Sequence, residues 1–168
     1  MKTFKHILPA LRLSLSVVLL SLWGIVAVWS YTPDSVIVRR INPDGVFKPA
    51  TYSQAVIVEG GRTIITSGIV AQNEQGEIVG KGDIRVQTEQ ALANVKKVLQ
   101  ASGATFADVV KLTYYVVHYT PEQLGAIREI RARYLDPNAL PASTLVGVSA
   151  LYHPDVLIEI EAIAVLRK

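Results

Sequence analysis

Two carboxylates stand two residues apart near the C-terminus, in the run IEIEAIAV, and this spacing could carry acid-base chemistry. Because side chains alternate between the two faces of a strand, Glu159 and Glu161 share one face with Leu157, Ile163 and Val165. Burial and a neighbouring like charge both raise the pKa of a carboxyl group, and general acids and bases are made in this way. The alternative is that both glutamates are solvated charges on an exposed face. The spacing alone leaves both interpretations open.

Metal, thiol and nucleotide chemistry have little support in the residue types. The three histidines, His6, His118 and His153, lack the spacing of metal ligands. The chain has no cysteine that could form a disulfide, a zinc thiolate or a thiol nucleophile. Three glycines lie in a polar loop between residues 76 and 82, but they form neither a GxGxxG motif nor a P-loop. We therefore expect neither a metal nor a cofactor.

A longer pattern surrounds the two glutamates. Residues 141–166 read PASTLVGVSALYHPDVLIEIEAIAVL, and two earlier segments read TYSQA from Thr51 and TSG from Thr66. Together they resemble the RidA/YjgF family over residues 51–166, and the C-terminal run resembles the closing hairpin of that family. The resemblance implies a chorismate-mutase-like α+β fold, a homotrimer with small-molecule clefts between neighbouring subunits, and hydrolytic deamination of imines or enamines.

The resemblance also implies roles for individual residues. Glu159 matches a glutamate implied to position the hydrolytic water, which makes it the candidate catalytic residue. Tyr52 matches a cleft tyrosine, and Ser67 with Gly68 matches a turn that offers a hydroxyl and a backbone donor to the ligand. Without the resemblance, Tyr52 is an ordinary interface aromatic and Ser67 an ordinary strand-end hydroxyl.

One position departs from the family pattern. Most deaminating members have Pro-Ala-Arg-Ser where this chain has Pro-Ala-Ser143-Thr, and that arginine resembles a bidentate clamp for a substrate carboxylate. Because Ser143 brings no charge and Leu145 makes the pocket more apolar, we expect a substrate without a carboxylate. The alternative is a non-catalytic module that binds a small molecule in the same cleft. Binding a carboxylate would require another cation, such as Arg62 or Lys111.

The strands that must position these residues are predicted from turn chemistry and from alternation. Residues 55–58 and 63–66 are rich in β-branched side chains and flank a Gly-Gly pair, which predicts a hairpin. Residues 109–119 alternate with period two and predict a further strand. With an edge strand near residues 36–38 set aside, the predicted order is β-β-α-β-α-β-β, which is typical of an α+β sandwich.

Two helices are predicted from their caps and apolar stripes. Asp83 can cap the first helix, whose stripe continues to a stop at Gly103. The second begins at Thr120, with a proline at its first position and a glutamine completing a capping box, and it should end at Asp136 before Pro137. The predicted stripe residues are Leu92, Val95, Val98 and Leu99 in the first helix, and Leu124, Ile127, Ile130 and Tyr134 in the second.

The sequence of the N-terminal segment predicts a membrane-targeting leader. Residues 7–29 hold one charge, Arg12, and follow Lys2 and Lys5. A positive start before a long apolar run is typical of a signal peptide or a membrane anchor. We expect residues 1–30 to be a signal peptide or a membrane anchor and residues 31–50 to be a tether with an edge strand. Residues 51–168 should form a RidA-like domain. Because the positive charges precede the apolar run, we expect this domain to be exported or anchored on the non-cytoplasmic side of the membrane.

The net charge argues against nucleic acid as a partner. The formal charge of +3 is carried entirely by the leader, since 17 − 3 = 14 basic residues face 14 acidic residues in the rest of the chain. Nucleic-acid binding depends mainly on basic side chains that contact phosphates. We therefore expect no nucleic acid as a partner. The resemblance to the RidA/YjgF family implies a small-molecule ligand and two further copies of the chain as partners.

Overall fold

The elements follow the predicted order, with one short extra strand. The computed structural model describes residues 36–166, which belong to one compact unit. A 3-10 turn, Phe106–Asp108, precedes the fifth strand. The elements are β1 (Ile37–Ile41), β2 (Ala55–Glu59), β3 (Arg62–Ile65), β4 (Ile69–Val70), α1 (Ile84–Ala101), β5 (Val109–Val117), α2 (Pro121–Ala132), β6 (Ala142–Val148) and β7 (Ile158–Leu166).

A mixed sheet with two helices against one face forms the α+β fold. The main sheet has the order β3-β7-β5-β6, and β4 also pairs with β7. The pairs within it are antiparallel except β5 with β6, which are parallel because α2 crosses over between them. The strands β1 and β2 form a separate antiparallel pair. The α+β fold predicted from the sequence is confirmed.

Both predicted hairpins are wrong in their pairing. The Gly-Gly turn exists, with φ of 75° at Gly60 and 82° at Gly61, but β2 pairs with β1 and β3 pairs with β7. Gly61 lies so close to Val165 and to the backbone of Leu166 that the turn packs directly on β7. At the C-terminus, β5 lies between β6 and β7, because the α2 crossover places β6 beside β5 instead.

The caps of α1 and the glutamine half of the α2 capping box are confirmed, while the Thr120 side chain accepts no capping hydrogen bond. Asp83 accepts hydrogen bonds from the backbone N–H groups of Arg85 and Val86 at 2.8 and 3.2 Å, and Gly103 adopts φ of 80° beyond the end of α1. At α2, the Thr120 N–H donates to the side-chain oxygen of Gln123 at 2.8 Å. These contacts satisfy backbone groups that have no partner within the helices.

Two details of the helices differ from the prediction. Val98 is 37% exposed, although the spacing placed it on the buried stripe of α1. The helix α2 ends at Ala132, because Arg133 N–H and Tyr134 N–H then donate to the carbonyls of Ile130 and Arg131 and tighten the chain into a turn.

The two faces of the sheet have different characters. On the face against the helices, β5 and β7 contribute the core side chains Leu112, Tyr114, Val116, Ile158, Ile160, Ala162 and Ala164. The opposite face carries half-buried side chains, among them Tyr115, Glu159 and Glu161. The prediction that the two glutamates share one face of a strand is therefore confirmed, and that face lies away from the helices.

The predicted signal peptide or membrane anchor at residues 1–30 lies outside the described residues. Within residues 36–166, no helix is both long and apolar enough to cross a membrane. The expectation of an exported or membrane-anchored protein is therefore not supported and is withdrawn. The proposed function below depends on no particular compartment.

A buried glutamine joins α1 to the segment that leads into β7. Gln87 is fully buried, and its amide nitrogen donates to the carbonyls of Asp155 and Gly80 at 2.6 and 3.2 Å. Its amide oxygen accepts from the Leu157 N–H at 2.8 Å. One side chain therefore bonds three backbone groups, and the Gly80 carbonyl also accepts from the Asp83 N–H at 3.0 Å.

We predict that Gln87→Leu lowers the free energy of unfolding by about 2 kcal/mol, because the Asp155 carbonyl and the Leu157 N–H lose their side-chain partner. Urea denaturation followed by circular dichroism measures the change. Gln100→Leu is the matched control on the exposed side of the same helix and should change stability by less than about 0.5 kcal/mol. If both substitutions changed the free energy of unfolding equally, the hydrogen bonds of Gln87 would not be what stabilises this part of the fold.

Candidate functional site

The first group of candidate residues meets at the loop between β3 and β4. Ser67 and Gly68 lie in this loop, and β4 then pairs with β7 so that Val70 is opposite Glu159. The loop is held by Thr66, whose N–H donates to the Ala162 carbonyl at 3.0 Å and whose hydroxyl accepts from the Ala162 N–H at 2.9 Å. An open groove of about 850 Å³ contains Ser67, Gly68 and Glu159.

Gly68 is required by the position of the Glu159 carboxylate. A Cβ atom at residue 68 would overlap Oε1 of Glu159. The φ angle of Gly68 lies outside the left-handed region, so the backbone there does not itself need glycine. The missing side chain leaves space for the carboxylate beside the loop, so that residues 68 and 159 lie in direct contact.

The carboxyl group of Glu159 is suited to proton transfer. Burial raises its pKa above the ordinary value of 4.5, and the negative charge of Glu161 raises it further. Glu161 accepts a hydrogen bond from the Tyr115 hydroxyl at 3.1 Å, and this bond, together with burial and the charges of both glutamates, raises the pKa of Tyr115. A carboxylate with raised proton affinity in an open groove can accept a proton from water and return it to a substrate.

The second group of candidate residues lines a separate cavity of about 150 Å³ between α2 and the strands β5 and β6. Tyr52, Ser143 and Leu145 all line it. The segment that carries Tyr52 is fastened by Ser53, whose hydroxyl donates to the Leu140 carbonyl at 2.7 Å and whose N–H donates to the Pro141 carbonyl at 3.0 Å.

The two groups lie on opposite faces of the sheet. Ser143 and Leu145 are paired in register with the core residues Leu112 and Tyr114, so their side chains point towards the helices. Glu159 is paired with Tyr115 on the face away from the helices. The groove and the cavity share no lining residue. Each subunit therefore has two separate sets of candidate residues. One set is Ser67, Gly68 and Glu159, and the other is Tyr52, Ser143 and Leu145. Within one subunit the two sets do not meet.

Comparison with known proteins gives the family. The family model described as Endoribonuclease L-PSP matches residues 47–166. A RutC family protein of Pyrococcus horikoshii is 43% identical over 113 residues, which are 67% of this chain and 85% of that protein. A crystal structure of a Rid family protein of unknown function from Yersinia pestis is 47% identical, covers 77% of this chain and 98% of its own, and superposes with a TM-score of 0.70.

The chain belongs to the RidA/YjgF family. A further relative, from Dermatophagoides farinae, is named 2-iminobutanoate/2-iminopropanoate deaminase and is 32% identical over 136 residues, which are 81% of this chain and 99% of that protein. RidA proteins are typically homotrimers.

A buried arginine that the sequence reasoning missed lies beside Ser143. Arg131 is 7% exposed, and its Nη1 donates to the Ser143 hydroxyl oxygen at 3.2 Å. Neither cation named from the sequence lines this cavity: Arg62 donates to the Ser102 carbonyl, and Lys111 contacts the Thr144 hydroxyl. A signal was present, because Arg131 lies four residues after Ile127 on the apolar stripe of α2.

Metal ligands do not converge in the described part of the chain. Within residues 36–166, no three side chains of the ligating types histidine, cysteine, aspartate and glutamate are grouped so that they could hold an ion. His153 instead accepts a hydrogen bond from the Asp155 N–H through Nδ1 at 3.1 Å.

We predict that Glu161→Gln lowers the pKa of Glu159 while leaving it above 4.5, because the like charge is removed but the burial remains. Carbon-detected NMR titration of the Glu159 carboxyl measures both values. The control Glu122→Gln, on the exposed first turn of α2, should leave that pKa unchanged. A Glu159 pKa at or below its ordinary value in the unmodified protein would show that the carboxylate is simply solvated.

Proposed function

We propose that this RidA-family protein hydrolyses imines or enamines to carbonyl compounds and ammonia. The observation that carries the proposal is the Glu159 carboxylate, whose raised pKa and position beside Gly68 place a proton acceptor in an open groove. The deaminase name of the relative from Dermatophagoides farinae supports the same reaction. The neutral charge of residues 31–168 gives RNA cleavage no electrostatic support.

In the proposed reaction, water adds to the imine carbon while Glu159 accepts the proton that water loses and passes it to the imine nitrogen. The resulting tetrahedral carbinolamine carries one hydroxyl and one amino group. Glu159 then accepts the proton of that hydroxyl and passes it to the amino nitrogen, so that the carbonyl forms as the carbon–nitrogen bond breaks with its electron pair leaving on ammonia. The overall change consumes one imine and one water and releases one carbonyl compound and one ammonia. Ser67 and the Gly68 backbone orient the substrate.

We further propose that the complete cleft lies between two subunits of a homotrimer. Glu159, Ser67 and Gly68 would come from one subunit, and Tyr52, Ser143 and Leu145 from its neighbour. The support is that the two sets lie on opposite faces of the sheet in one chain, and that RidA proteins are typically homotrimers. A monomer would have two half-sites that cannot act on one small molecule.

A substrate without a carboxylate was expected because Ser143 brings no charge, but the guanidinium of Arg131 lies within hydrogen-bonding distance of the Ser143 hydroxyl and supplies a cation there. The reaction is therefore proposed for imines and enamines in general. Non-catalytic binding of a small molecule in the same cleft is the alternative, and it differs in one measurable respect, since a binding module releases no ammonia.

We predict that the full chain releases ammonia from freshly generated imines and that Glu159→Gln lowers the rate by roughly a hundredfold or more, because the proton acceptor is lost. Gly68→Ala should lower the rate at least about tenfold, since the methyl group displaces the Glu159 carboxylate from its position.

Gly125→Ala is the matched control, because a methyl group at that position in α2 meets no atom within 4 Å. It should leave the rate unchanged. A set of imines with and without carboxylates should be tested, with thermal denaturation to confirm that each variant is folded. If no imine yields ammonia, the protein is a binding module and the proposed reaction is wrong.

A further inference from the structure

The cavity of about 150 Å³ beneath α2 contains a buried cation without a counterion. Arg131 is 7% exposed, its Nη2 donates to the Thr51 carbonyl at 2.9 Å, and its guanidinium lies 5.7 Å from the centre of the Tyr114 ring. Within residues 36–166, no carboxylate forms an ion pair with it, and Glu129 of α2 pairs with Arg85 and Arg133 instead. Buried charges in proteins are ordinarily paired.

A second polar group in the same cavity lacks an acceptor for its proton. The Tyr114 side chain is 1% exposed, and its hydroxyl interacts with the Arg131 guanidinium but donates to no acceptor among the described residues. Burial raises the pKa of this hydroxyl above its ordinary value, so the group is a neutral O–H donor. A buried tyrosine hydroxyl normally has a partner.

The donors that face the cavity outnumber the acceptors. A guanidinium has five N–H donors, and the contacts to Ser143 and Thr51 use two of those of Arg131. The Ser143 hydroxyl accepts from Arg131 and keeps its own proton to donate. Arg128 lines the cavity as well, and no described acidic side chain does. An arrangement of N–H and O–H donors around a cation binds an anion.

The size and remaining lining of the cavity restrict which anion fits. A volume of about 150 Å³ equals that of about five water molecules. The other walls include the apolar side chains of Leu124, Ile127 and Leu145. A carboxylate attached to a short aliphatic chain matches both properties, because the planar fork of an arginine pairs with a carboxylate through two hydrogen bonds.

We propose that Arg131, Tyr114 and Ser143 bind the carboxylate of the substrate, so that an arginine on α2 and not one on β6 determines the preference for 2-imino acids. The proposal deepens the proposed function and rests on it, since the imine of the same molecule would reach Glu159 of the neighbouring subunit. Arg131 and Tyr114 are specificity-determining residues and take no part in the proton transfer.

Binding of two matched ligands tests the proposal without requiring turnover. Isothermal titration calorimetry of the full chain with 2-oxobutanoate and 2-oxobutanamide compares a carboxylate with a neutral group of the same shape. The acid should bind roughly ten- to a hundredfold more tightly, which is the contribution expected from charged hydrogen bonds. Arg131→Gln should remove that preference and leave the affinity for the amide nearly unchanged.

Two further variants separate a binding role from a structural one. Tyr114→Phe removes only the buried hydroxyl, so it should weaken the acid several-fold without lowering thermal stability. Arg131→Lys keeps the charge but not the fork, and it should recover part of the preference. Arg133→Gln, one residue beyond the end of α2 and outside the cavity, is the control and should bind both ligands as the unmodified protein does.

The outcomes separate this proposal from the proposed function. If Arg131→Gln and Tyr114→Phe keep the preference for the acid, or if the unmodified protein has none, the proposal is wrong, although imine hydrolysis could still be observed. If the acid fails to bind and Arg131→Gln dissociates the oligomer, the counterion is a carboxylate of another subunit and the proposal is also wrong. If the acid preference depends on Arg131 but no imine is hydrolysed, the proposed reaction alone fails.

Discussion

The alternation of side chains along β7 is the constraint on which the site depends. This strand is hydrogen-bonded to β5 on one edge and to β3 and β4 on the other, so its register is fixed from both sides. A slip of one residue would move Ile158 and Ile160 out of the core and bury Glu159 and Glu161 among apolar side chains, at a cost of several kcal/mol. The same packing that stabilises the sheet therefore holds Glu159 on the face away from the helices and beside Gly68.

The same alternation divides the candidate site in two. Because β6 runs parallel to β5 in register, Ser143 and Leu145 must face the helices, and α2 supplies Arg131 to that side. The buried guanidinium costs free energy in a single chain unless an anion accompanies it. The Tyr114 hydroxyl in the same cavity has no acceptor for its proton among the described residues, which is consistent with a binding role for both groups.

Local features could be predicted from the sequence, and long-range pairing could not. Three features depend only on residues that are close together in the sequence, and the sequence therefore predicts them. They are the Asp83 cap, the end of α1 at Gly103, and the alternation of side chains in β5 and β7. The partner of β2 and the neighbour of β6 depend on how distant segments pack, and both predicted hairpins were wrong. Arg131 was missed for the same reason, because its proximity to Ser143 arises only when α2 folds onto the sheet.

The central claim is that neighbouring subunits combine the two half-sites into one cleft. A crystal structure of the assembled protein with bound 2-oxobutanoate tests it most directly. The account predicts a single ligand that contacts Glu159 of one subunit and Ser143 and Tyr52 of the next. A ligand that contacts only one of the two sets, or subunits that associate through surfaces distant from both, would contradict it.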